Sequence, residues 1–105
     1  MIQQEMVQEA IYNFGLETWK LGKKVSKTHR NRNTIVSPAK AFSDNFPGIL
    51  EIAKKDRIKE IILFYCIHAF SFGYRYPGFK WDYVESQCNM ILYSKPGDEC
   101  RKIFH

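Results

Sequence analysis

Residues 59–76 read KEIILFYCIHAFSFGYRY, and whether they form a strand or a helix decides the architecture. Their Ile, Phe and Tyr content suits strands. Length argues the other way. A strand from Lys59 to Tyr76 would far exceed the usual length of about 5–6 residues. Ile58, Ile61, Ile62, Tyr65, Ala69 and Phe72 instead recur at the three- and four-residue spacing of one helical face. The same spacing reaches back to Ile49, Ile52 and Ala53 across the charged run KKDRIKE, residues 54–60. The apolar part, Ile61–Phe72, is about a dozen residues and is interrupted by His68, whereas a bilayer-spanning helix needs roughly 20. A buried core segment is expected, with Phe64, Tyr65, Phe70 and Phe72 inside it.

Towards the N-terminus, Val7, Ala10, Ile11, Phe14, Thr18 and Leu21 share one helical face, which predicts an amphipathic helix over Ile2–Leu21 stopped by Gly22. Residues 23–36, KKVSKTHRNRNTIV, carry no apolar period and are expected to form a basic mobile connection. Ser37-Pro38 is a helix start signal, Ser as N-cap and Pro in the first turn, for a short helix through about Asp44 with Ala41 and Phe42 inward.

Beyond Gly73 two patterns compete. Tyr74, Tyr76, Phe79, Trp81 and Tyr83 alternate around Pro77-Gly78 as a hairpin would, though Pro-Gly suits a type II turn better than the primed turns of tight hairpins. Alternatively Asp82 caps a helix over Tyr83–Ser94 that buries Val84, Cys88, Ile91 and Leu92. Pro96-Gly97 then ends it, and Asp98 caps a final turn through Phe104. The helical version is preferred. At 105 residues the chain suits one domain, residues 1–105. The expected fold is mainly α, a small bundle of two long and two or three short helices. The alternative is α+β with an antiparallel hairpin over residues 69–83 or 88–104.

Charge is the clearest functional signal. Between Thr18 and Ser43 lie Lys20, Lys23, Lys24, Lys27, Arg30, Arg32 and Lys40, with His29 and no Asp or Glu. The rest of the chain holds nine Lys and Arg against eleven Asp and Glu, so the net +5 is +7 from this window and −2 from everything else. Pooled positive charge attracts anionic partners and speeds encounter with them. Asn31, Asn33, Ser26 and Thr28 add hydrogen-bonding capacity for phosphate oxygens. A second candidate surface interleaves cations with rings: Arg75, Tyr76, Lys80 and Trp81, a composition used both for base stacking and at protein-binding hot spots.

Other chemistries have weaker support. Cys66, His68, Cys88, Cys100 and His105 are zinc-ligand types without the paired spacing of structural sites, and no metal site or cofactor is expected. There is no Gly-rich phosphate loop, H-E-x-x-H or G-x-S-x-G element. Asp56 and Glu60 stand at i,i+4 amid lysines, where ordinary surface pairing is expected. His29 as a general base would be poorly held in a mobile loop. Three cysteines cannot all pair within one chain, and with no apolar leader a cytoplasmic, intracellular setting is expected. The sequence therefore points to a non-catalytic interaction protein of adaptor or inhibitor type. It would dock nucleic acid, or an acidic face of a nucleic-acid-handling protein, through the 20–40 segment, without a membrane partner. The rivals are a small metal-dependent nuclease or hydrolase, and a nucleotide-sequestering pocket formed by Trp81, Tyr76 and Arg75.

Overall fold

The computed structural model describes residues 2–49, 51, 54 and 56–94, and the stretch that decides the architecture is helical in it. Four helices are described: α1 (Ile2–Arg32), α2 (Pro38–Asn45), α3 (Arg57–Arg75) and α4 (Trp81–Ser94). No strand occurs among the described residues, so the hairpin alternative is not supported. Residues 69–83 are the end of α3, a turn and the start of α4, and 88–94 are helical. The expected final turn at Asp98–Phe104 lies outside the described residues.

α1 departs most from expectation. It does not stop at Gly22 but continues through the basic segment to Arg32, leaving only residues 33–37 as a connection to α2. At 1.5 Å per residue it is about 46 Å long, which matches the 45 Å long axis of the molecule. Gly22 is not a terminator because it sits where α3 crosses. α1 and α3 run in the same direction, since Gly15 meets Tyr65, Gly22 meets Phe70 and Ser26 meets Tyr74. A methyl group on Gly22 would lie 2.5 Å from the Phe70 carbonyl oxygen, and one on Gly73 would collide with the Trp19 carbonyl oxygen. Two glycines, one from each helix, thus let backbone touch backbone. Val25, Ser26 and His29 continue this face with mixed polarity, so a search for apolar residues loses it after Leu21.

The true end of α1 is a Schellman-type cap. Asn33 has φ 56°, Asn33 N–H donates to Arg30 C=O, and Thr34 N–H donates to His29 C=O at 2.8 Å. His29, Arg30 and Arg32 lie in the last turn, where cations suit the negative end of the dipole. α2 begins where the sequence places it: Ser37 accepts from Lys40 N–H at 3.2 Å, Pro38 follows, and Ala41 and Phe42 are buried. A parallel α1–α3 pair needs a return path in the chain between them, and there α2 packs on α3 through Phe42 and Phe70.

Asp56 caps α3 by accepting from Lys59 N–H. Pro77 ends the helix, and Phe79 N–H closes a turn on Tyr76 C=O. Gly78 does not take the positive φ that a type II turn requires. α4 starts one residue before Asp82, with Val84 N–H bonded to Lys80 C=O, and buries Val84 and Cys88. The side chains of Ile91 and Leu92 lie outside the described set. Phe64, Tyr65 and Phe70 are fully buried and Phe72 half-buried, but Phe14 is 57% exposed rather than inward. Together the helices make one small compact domain. No described helix is long and apolar enough to cross a membrane.

Candidate basic and aromatic surface

Because residues 23–32 are helical, the cations have fixed bearings. At 100° per residue Lys20, Lys23, Lys24, Lys27, Arg30 and Asn31 fall within an arc of about 120°. Lys23, Lys24, Lys27, Arg30 and Asn31 line one shallow depression of about 550 Å³, with Pro77 of the α3–α4 turn at its edge. Lys24 and Lys27 are exposed and have no carboxylate at ion-pair distance among the described residues. Lys23 is half-buried with its ammonium 4.4 Å from the centre of the Trp19 ring.

The other three cations of the window do not line this depression, although Lys20 shares its arc. Lys20 pairs with Glu17 at 3.6 Å, and Lys40 on α2 pairs with Asp44 at 3.1 Å. Arg32 lies outside the shared arc. The patch is therefore four cations, narrower than the sequence window.

Arg30 links this patch to a second depression of about 370 Å³, which it lines with Ile35, Val36, Pro38, Tyr74, Arg75 and Tyr76. A buried polar knot holds this junction. Ser26, fully buried, donates its hydroxyl to Tyr74 C=O at 2.7 Å and accepts from Arg30 Nε at 3.0 Å. The Tyr74 hydroxyl accepts from Val36 N–H at 3.1 Å and lies 2.7 Å from His29 Nδ1. In the neutral tautomer that carries its proton on Nε2, the hydroxyl donates to Nδ1 and both its roles are filled. Arg30 is thus oriented by a side chain anchored in the core. Tyr74→Phe should leave the Val36 N–H without its acceptor and destabilise the fold by about 1–2 kcal/mol. Urea unfolding and faster amide exchange at Val36 check this; unchanged exchange would show that the hydroxyl does not hold the 33–37 connection.

The aromatic set is arranged differently from its sequence reading. Tyr76 is exposed and stacks on Phe79 (5.2 Å, 24°), which meets Tyr83 edge-on at 5.0 Å. Phe79 and Tyr83, absent from the expected contact set, are 40% and 49% exposed. Their i+3 and i+7 spacing from Tyr76 was the available signal. Trp81 is half-buried, 5.4 Å from Trp19, and does not line the depression that Arg75 and Tyr76 share. Arg75 and Lys80 are exposed at either end of the turn.

No protein-family model, curated protein or solved structure matches this chain. What the surface can do follows from its own residues. Among the described residues no group of three or more His, Cys, Asp or Glu comes together. His68 Nδ1 is engaged with Phe64 C=O at 3.0 Å, and Cys100 and His105 lie outside the described residues. Asp56 caps α3, and Glu60 is buried at 6% exposure. Cys66 and Cys88 are free and buried. Burial pushes the Cys66 thiol up, and burial with the neighbouring Cys66 and Glu85 pushes Cys88 up to about 12. Both stay protonated near neutral pH, unsuited to nucleophilic attack or thiolate ligation.

Proposed function

We propose that this chain is a non-catalytic, intracellular interaction protein that docks single-stranded nucleic acid on the basic face of α1. The reading rests on one observation: Lys23, Lys24, Lys27 and Arg30 line a single depression whose Arg30 wall adjoins the exposed Tyr76. Phosphates meet the cations, and splayed bases stack on Tyr76 and Phe79, whose flat faces an intact duplex has no unstacked base to cover. An acidic protein surface would use the same cations but gains less from the rings. Two buried free thiols suit a reducing setting.

Fluorescence anisotropy with a labelled oligo-dT and a duplex of equal length tests the reading. The single strand is expected to bind more tightly, and Tyr76→Ala to weaken it about tenfold through lost stacking. Polyglutamate displacing the strand at equal charge, with Tyr76→Ala without effect, would assign the face to an acidic protein instead.

A further inference from the structure

A second concavity lies on the other flank of α1, independent of the basic face. Phe14, on its wall, is about 140° around the helix from Lys27. The groove has a volume of about 390 Å³ and is closed by α1, α2 and α3, with Phe14, Phe42, Phe46, Ile49, Ile62 and Leu63 among its walls. That is within the range of about 300–1,000 Å³ typical of small-molecule sites, which in bundles lie between helices.

Its polarity is unusual. Thr18 and Cys66 also line it, but the Thr18 hydroxyl donates to Phe14 C=O and the Cys66 thiol is held neutral by burial. A ligand with polar groups in its middle would lose hydrogen bonds to water without replacement there. One charged side chain, Lys59 at the start of α3, stands on the lining among the described residues, and its ammonium has no carboxylate at ion-pair distance among them. An apolar body and a single anionic end are the chemistry that fits.

We propose that this groove binds a monomeric long-chain carboxylate, its alkyl chain between Phe14, Phe46, Ile49 and Ile62 and its head on Lys59. The chain covers Phe14, which is otherwise 57% exposed. The head at the rim keeps contact with water, so the ion pair forms without burying a charge.

Calorimetric titration of the full chain with dodecanoate below its micelle concentration tests this, with dodecyltrimethylammonium as the cationic counterpart. Wild type should bind the carboxylate and at least tenfold more weakly the ammonium. Lys59→Glu should reverse that preference, whereas Lys54→Glu, an equal charge change at a residue not lining the groove, should leave it. Ile62→Trp, checked for folding by circular dichroism, should abolish both. Four results would overturn the proposal: no binding by wild type; equal affinity for the two head groups; the same loss in Lys54→Glu as in Lys59→Glu; or a wild-type dimer that dodecanoate dissociates, which would make a second copy the occupant.

Discussion

Gly22→Ala is expected to destabilise the protein by about 1–2 kcal/mol, although alanine is the better helix former by about 1 kcal/mol. The sign is the informative part. At an ordinary helix position the substitution would stabilise. Here the new methyl would lie 2.5 Å from the Phe70 carbonyl oxygen, which belongs to α3 backbone and has no rotamer to escape into. The two helices must separate, and separation loosens packing along the whole crossing, from Gly15 against Tyr65 to Ser26 against Tyr74. Gly73→Ala should behave alike, because its methyl would meet the Trp19 carbonyl. The double variant should cost less than the sum, since one separation accommodates both methyls. Leucine at either position should abolish the cooperative urea transition, the clash then approaching the roughly 5–15 kcal/mol that holds a domain folded. Gly78→Ala, with open space around it, should stay within about 0.5 kcal/mol of wild type. Gly48→Ala isolates the other effect: it also faces open space but has φ +77°, so backbone strain alone should cost about 1 kcal/mol. A Gly22→Ala protein more stable than wild type would mean that α1 and α3 do not cross this closely.

The same crossing explains what was legible in the sequence. Where burial is made by large apolar side chains, the pattern gave the answer: Ile61 to Phe72 on α3, Ala41 and Phe42 after Ser37-Pro38, Val84 and Cys88 on α4. Where burial is made by the absence of a side chain, the pattern misled. Gly15, Thr18, Gly22 and Ser26 recur at the same spacing as the apolar residues, but glycine also ends helices, and in one dimension the two uses are identical. Asn33, the residue that does end α1, was hidden among polar neighbours. The missed helix mattered for the candidate site. Seven cations in a mobile segment have no bearings, whereas the same residues on a helix divide into four that converge, two tied to Glu17 and Asp44, and Arg32 off the arc. The joining of Arg30 to Tyr76 depends on a contact across more than forty residues, Ser26 to Tyr74, that no local pattern carries.

That division permits a test of the site that separates geometry from net charge. If Lys23, Lys24, Lys27 and Arg30 each neutralise one phosphate of a single strand, the log–log salt slope is about −2.8, and affinity falls about fifty-fold from 50 to 200 mM salt. Over the range from 1 M down to 50 mM the same slope amounts to about 4 × 10³, so replacing all four by alanine should weaken binding at 50 mM by about 10³-fold and flatten the slope. The fold should survive. Alanine favours helix, and the substitutions remove little else: a cation over the Trp19 ring, about 0.5–1 kcal/mol, and the bond from Arg30 to Ser26. The comparison that decides is Lys20/Lys40/Arg32→Ala. It removes three charges from the same stretch of sequence, taking the net +5 to +2, against +1 for the four-residue variant. The two proteins differ by one unit of charge, but only the four-residue variant strips the lining of the depression. Because none of the three lines the depression, Lys20 and Lys40 being held by Glu17 and Asp44 and Arg32 lying off the arc, the three-residue variant should lose only a few-fold in affinity and keep most of the slope. Equal losses in the two variants would mean that binding follows overall charge, and that the convergence beside Pro77 and Tyr76 is not where the strand lies.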